Sequence, residues 1–524
     1  MLFLLFTFLS SGYSQTLNCA GSAFIVNASS ASGNHCDFYR DLDRMNSALN
    51  CFSNKFIYSA EANNTNKSNC SEKEPWENKH PWDYENGKKI PKKLYSKESS
   101  DFNNSQFKLD LEKYAQEKKK EPLLLYFSDH GTKKASWGED YNPHFDAESG
   151  MSFGDNVVYA KDYWETIESI QKVRHPEKMI LMQDHCYSEG MLEGIVKDEI
   201  SGINGINTLD VVSNVCGVSA SSEMEYSYTG ETMAKYLDRM KVNNYKSRDK
   251  NEDSTISVSE FFFSYEYGYA SQSTPKKSSD VYLKKYLDRY ADETPGFFKI
   301  TKLDDINAGL SQNNFSGLDC ALTSSALTDV EQVMTKIAIS NALETYKTFL
   351  TSKTSNYYNG AGFGSRDFTY EELLNEEARL KNLMGTQYNK MVMANDNYYN
   401  ELGSLWSPKK TARKKSLEMK FYSSEMSPAE ESELKKLNAE YETWTMTNEN
   451  KVNDLWNTKY QPQVDIAKSE WAVLQKTAGG LRRLKKTLDG INGILLMSQR
   501  NDLTGIKNLT QMLQCEETEL VKLK

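Results

Sequence analysis

Residues 178–186 read KMILMQDHC and residues 122–131 read PLLLYFSDHG. Each is a continuous apolar run that ends abruptly, at Asp184-His185-Cys186 in one case and at Asp129-His130-Gly131 in the other. Two more runs, SAFIVNAS at 22–29 and LDVVSNVCGVSA at 209–220, share that character and stop at Ser, Asn or Gly. Helix-period stretches lie between and after them, YAKDYWETIESIQKV at 159–173 and ETMAKYLDRM at 231–240. Strands apolar on both faces, alternating with helices, predict an α/β fold: a mainly parallel sheet with helices on both faces. In such sheets ligand sites gather at the carboxyl ends of the strands.

Two side chains stand at those ends. His130 follows its strand directly, and Gly131 behind it lets a substrate approach the backbone. Cys186 ends the next apolar strand in the same way. If the strands are neighbours, imidazole and thiol share one sheet edge. A cysteine nucleophile needs that arrangement, because a thiol near neutral pH is mostly protonated and a nearby His draws the proton or stabilises the thiolate. The His then protonates the leaving amine. The amides of Gly131 and Cys186 would form an oxyanion hole. Taken singly, each residue reads more readily as a structural Cys or a hydrogen-bonded core His; the pair at consecutive strand ends reverses that. A metal site from Asp129, His130, His185 and Cys186 lacks ligand spacing.

The ordered set YFSDHG, MILMQDHCYSEGM and SASSEMEYSY (219–228) resembles the legumain family of cysteine endopeptidases, within the caspase-like clan. The resemblance covers about residues 20–275. It implies a caspase-like fold, Cys186 as nucleophile and His130 as general acid/base. It further places Asp184 and Ser227 in the pocket for the side chain before the cleaved bond. NHCDFYRDLD (34–43) adds Arg40 to that pocket and Asn34 as an orienter of His130. Glu189 stands where the family has Gly, His185 where it has a small residue, and TKKASWGEDYNPHFDAESG (132–150) is inserted between His and Cys. Asp184 alone would suit Arg or Lys; an Asp/Arg/Ser set would suit Asn. The expected activity is endopeptidase hydrolysis of a protein or peptide substrate, with no cofactor required. Ligation or transamidation by the same dyad stays open, as does an inactive caspase-fold binding module.

The remaining chain sets the context. MLFLLFTFLSSGYSQ (1–15) reads as a secretory signal peptide, and no later run is long enough to span a membrane. The expected location is therefore secreted, periplasmic or vacuole-like, where eight cysteines can pair. If Cys186 keeps its thiol, seven are left, an odd number. A net charge of −10 argues against a general nucleic-acid binder, and the basic PKKTARKK at 408–415 reads as a solvated loop. The change of pattern along the chain predicts an α/β domain over 16–285, which the resemblance implies is a caspase-like peptidase domain, a linker over 286–327 and a helical bundle over 328–524. Capping boxes at Thr328/Glu331, Thr369/Glu372 and Ser427/Glu430 start its helices. By family analogy this tail covers the cleft in a zymogen, with LSQNNFSGL (310–318) as the self-cleavage segment. DKNEDSTISVSE (249–260) sets Asp249, Asn251, Asp253, Thr255, Ser257 and Glu260 at calcium-loop spacing, with Ser254 where Gly is preferred. The competing reading is a polar loop capping the helix that follows.

Overall fold

The computed structural model describes residues 21–27, 35–59, 97–98, 104–117, 120–133, 148–153, 156–175, 177–199, 208–222, 232–243, 246–268, 273–297, 299–300, 370–422 and 426–523. Its strands are β1 Ser22–Asn27, β2 Asn54–Ser59, β3 Lys97–Glu98, β4 Leu123–Ser128, β5 Gly131–Lys133, β6 Ser149–Phe153, β7 Asn156–Tyr159, β8 Met179–Asp184, β9 Val196–Glu199, β10 Thr208–Val211, β11 Val215–Ser219, β12 Thr255–Ser257, β13 Lys276–Lys277 and β14 Glu519–Lys522. Seven form the central sheet, in the order β13-β11-β8-β4-β1-β2-β3. Every neighbouring pair in it is parallel except β11 with β13. The four apolar runs of the sequence thus sit side by side, with one revision. LDVVSNVCGVSA is two strands, β10 and β11, separated by a turn in which Asn214 takes φ +59°.

Both faces of the sheet are covered. The helices α1 (His35–Ala48), α2 (Asn104–Glu117), α3 (Ala160–Arg174), α4 (Glu189–Leu192), α5 (Met233–Asn243) and α6 (Val258–Gly268) follow in chain order, and α1, α5 and α6 lie against one face. Leu42, Met45, Met233, Leu237 and Phe261 meet Ile25, Tyr126, Met182 and Val218 there. On the other face, rings of α2 and α3 stack edge-on against the strands: Phe107 on Phe24 and Phe127, and Tyr163 on Phe127. The alternation follows from the two-residue period of a strand, so residues 180, 182 and 184 face α1 and α5 while 181, 183 and 185 face α3.

The chain divides into two compact units, Met1–Leu373 with Gly479–Lys524, and Leu374–Ala478. The division differs from the linear one expected from the sequence. Helix α7 (Ser278–Tyr290) runs across residue 285 and packs within the first unit, because Tyr282, Leu283, Tyr286 and Leu287 are all buried. The end of the chain belongs there too. Cys515 is joined to Cys216 of β11 by a disulfide, and β14 pairs with β12. Leu520 and Val521 lie in the same core as Ile25 and Tyr126. Residues 1–15, 310–318 and the capping boxes begun by Thr328 and Thr369 lie outside the described residues.

The second unit is helical: the bulk of α8 (Tyr370–Trp406), α9 (Pro408–Tyr422), α10 (Pro428–Thr447), α11 (Glu449–Leu455) and the first half of α12 (Gln461–Arg500). Ser427 and Glu430 form the reciprocal cap expected, with Pro428 at the first helical position. The basic run PKKTARKK is helical, contrary to its reading as a loop. Lys410 and Arg413 of α9 meet Glu440 and Glu433 of α10, at 2.6 and 2.7 Å. The first unit ends in the completed α12 and in α13 (Leu503–Glu516). Among the described residues no helix is long and apolar enough to cross a membrane.

Candidate functional site

Strands β4 and β8 are paired, and their last residues are in register, Ser128 opposite Asp184. His130 and Cys186 each stand two residues beyond that pair, so the sheet carries both to one edge at the same height. The gap between them is tight. A Cβ added to Gly131 would fall 1.7 Å from the Cys186 carbonyl oxygen and 2.8 Å from His185 Nδ1. A methyl group cannot fit there, so glycine at 131 is what lets the two strand ends meet. His130 is exposed and Cys186 half-buried, carrying a thiol that is not joined in a disulfide.

The turn after the thiol is held from several sides. Tyr187 adopts φ +57°, a left-handed conformation costly for a side chain of this size. Ser221 Oγ donates to the His185 carbonyl at 3.0 Å, and the Glu189 amide donates to the Ser221 carbonyl at 3.1 Å. The Ala220 amide donates to Gln183 O at 2.9 Å, and Trp164 Nε1 donates to Met191 O at 2.7 Å. Glu189, the departure from Gly, is buried and pairs with buried Lys276 of β13 at 3.3 Å. That lysine compensates the charge, so the substitution is matched inside the fold.

Asp184 and His185 point to opposite faces. Asp184 Oδ2 accepts from Tyr126 Oη at 2.9 Å and from the Met233 amide at 2.8 Å, at the start of α5. Burial, reinforced by the charge of Asp41, raises its pKa to about 8. It therefore caps a helix from inside the core instead of standing as an anion in an open pocket. His185 is completely buried. Its Nδ1 lies 2.8 Å from the Cys186 carbonyl oxygen and its Nε2 lies 3.1 Å from the Gln183 carboxamide. Burial lowers its pKa to about 4, so the ring is neutral.

The other expected site residues are less informative. Arg40 lies within α1, but its side chain falls outside the described residues, as do Asn34 and Ser227 altogether. In the loop before α6, the carboxylates are turned to backbone amides. Asp249 accepts from Ser254 N at 2.8 Å, Asp253 from Thr255 N at 2.8 Å, and Glu260 from Lys250 N at 2.7 Å and Ser257 N at 3.0 Å. Ser254 takes φ +68°, the backbone conformation for which glycine is preferred at that position. Among the described residues no group of three or more His, Cys, Asp and Glu side chains is placed to hold a metal. Ser257 Oγ also accepts from Glu260 N at 3.2 Å, so this loop caps the start of α6.

Sequence reasoning passed over Gln183, Tyr163, Ser221 and Lys276. Gln183 was the one with a signal, an amide inside the otherwise apolar MILM run of β8. No protein-family model matches the chain, and no curated protein matches it either.

Proposed function

We propose that the chain is a caspase-fold cysteine endopeptidase of legumain-like type, acting through Cys186 and His130. The observation that carries this reading is the register of β4 with β8, together with the contact of Gly131 on the Cys186 carbonyl. In the proposed reaction Cys186 Sγ attacks the scissile carbonyl and His130 takes the thiol proton. The amides of Gly131 and Cys186 stabilise the oxyanion, and the same proton passes to the leaving amine. Water then resolves the thioester. Export from the cytosol fits the Cys216–Cys515 disulfide.

Asp184 bears on specificity. Its carboxyl is neutral up to about pH 8 and already engaged, so it offers no standing anion to a basic side chain. Asn before the cleaved bond is therefore expected to be preferred over Arg or Lys. The test is a fluorogenic peptide panel with Asn, Asp, Arg and Lys at that position, run on wild type and on Cys186→Ala. Turnover of at least one peptide by wild type, falling to background in Cys186→Ala, is expected. Equal turnover by the two proteins, or none by wild type from pH 4 to 8 with and without calcium, would end the endopeptidase reading.

A further inference from the structure

Three polar groups line up behind the thiol on the α3 face of the sheet. The Gln183 carboxamide is 2.7 Å from Tyr163 Oη on one side and 3.1 Å from His185 Nε2 on the other. His185 Nδ1 then reaches the Cys186 carbonyl oxygen at 2.8 Å. A carbonyl oxygen can only accept, so Nδ1 must carry the proton. A neutral ring leaves Nε2 as acceptor, and its partner must be the carboxamide nitrogen. The structure places Gln183 Nε2 on Tyr163 Oη and Oε1 on the ring, but the two ends of a carboxamide have the same shape, and the orientation consistent with a neutral ring turns it over, with Nε2 donating to the ring and Tyr163 Oη donating to Oε1. Tyr163 keeps its proton, because burial raises its pKa far above the usual phenol range. The chain Tyr163, Gln183, His185 and Cys186 O is then satisfied at every step, with one tautomer selected.

We propose that His185 is a positioning residue: its Nδ1–H clamps the Cys186 carbonyl and thereby fixes the Cys186–Tyr187 peptide and the seat of Gly131. The inference rests on reading Cys186 as the nucleophile. Two facts make the clamp more than core filling. The same Nδ1 lies 2.8 Å from the point where a Gly131 Cβ would be, so the ring edge touches both strand ends at once. The peptide it holds leads into Tyr187 at φ +57°, a conformation that persists only where its surroundings enforce it. Without the clamp, the carbonyl can rotate away from Gly131, and the thiol loses its fixed placement against the segment carrying His130.

The donor position can be moved without removing the polarity of the site. Asn at 185 offers an amide N–H near the place of Nδ1, Gln offers one near Nε2, and Leu offers none. For full-length, disulfide-intact protein, the rate of Cys186 alkylation by iodoacetamide is followed by mass spectrometry. In parallel, kcat and KM are measured on the best peptide of the panel. His185→Leu is expected to lower both the alkylation rate and kcat by about tenfold to a hundredfold, with KM within about twofold. His185→Asn should recover most of both, and His185→Gln should not. Wild-type rates in His185→Leu, or equal loss in all three variants, would overturn the proposal, the latter by reducing His185 to packing. If His185→Leu does not fold, the Asn and Gln pair decides by the same criterion. If wild type cleaves no peptide, the endopeptidase reading fails alone, and the alkylation series still reports whether His185 places the thiol.

Discussion

Glu516, in the first compact unit, is completely buried and accepts four hydrogen bonds: from Ser278 Oγ, Ser279 N, Ser279 Oγ and Lys277 Nζ, at 2.8 to 3.0 Å. In the second unit Glu433 meets Arg413 with both side chains more than two-fifths exposed. The two carboxylates are chemically close to equivalent, yet water changes what they do. Around Glu516 in the first unit the buried charge has a fixed set of partners that water does not replace, and Lys486 with Glu266 at 2.5 Å repeats the pattern. In the second, solvent stands in for any partner that leaves. The first arrangement imposes a single geometry, as a site requires; the second gives a solvated helical surface that tolerates substitution.

The comparison is broken most severely at Glu516. Glu516→Ala strips the partly buried Lys277 ammonium and the buried Ser279 amide of their acceptor, and should cost about 3–5 kcal/mol in urea unfolding. The loss should be accompanied by release of the last turn of α13 from α7, read by hydrogen exchange of residues 278–290. An unchanged unfolding midpoint would mean that the disulfide and the β12–β14 pairing hold the chain end without this carboxylate.

A smaller and pH-dependent effect sharpens the same point at Asp184. The folded state keeps its proton up to about pH 8, whereas an unburied carboxyl releases it near 3.8. Between those values the unfolded chain binds fewer protons, so stability falls as pH rises, by about 1.4 kcal/mol per pH unit. His185 acts in the opposite sense. Its folded pKa of about 4 lies below the ordinary 6.5, so its contribution is intact above 6.5 and is lost as pH falls through about 4. The two slopes oppose one another between about 4 and 6.5, and Asp184 stands alone from 6.5 to about 8. Asp184→Asn keeps an oxygen for Tyr126 and Met233 and should flatten the decline in that upper window. Wild-type and variant unfolding curves that fall in parallel from pH 6.5 to 8 would show that another group carries the slope.

The sheet was legible because its strands announce themselves. MILM and LLLYF are apolar on both faces, which only a covered parallel sheet accommodates, and the positions of His130 and Cys186 just beyond those runs followed from counting. The division into units was not legible, since what ties Cys515 to Cys216 and Glu516 to Ser278 are contacts about 240 to 300 residues apart in the chain. No local period encodes such contacts. Asp184 shows a different limit. Its place next to the thiol suggested a pocket, but strand alternation turns it to the α1 and α5 face, where an amide of α5 and Tyr126 claim it. His185, one residue on, faces the opposite way and lies against Gly131, and its value depends on Gln183 and Tyr163, which are separated from each other by 20 residues.

The least effect is expected at Arg413. Its guanidinium makes two hydrogen bonds to Glu433, at 2.7 and 3.0 Å, in good bidentate geometry. Geometry of this quality would matter in a dry site, but both groups stay hydrated when parted and lose side-chain freedom when joined. Lys410 with Glu440 and Lys420 with Glu430 bridge the same two helices, so one pair among several is removed. The apolar contact of Leu417 with Leu434 and Leu437 is left intact. Arg413→Ala should therefore leave the thermal midpoint of the full chain where it was, in low and in high salt alike. A clear drop that vanishes in high salt would show that these helices rely on their surface charges, and the contrast between the two units would then be one of degree.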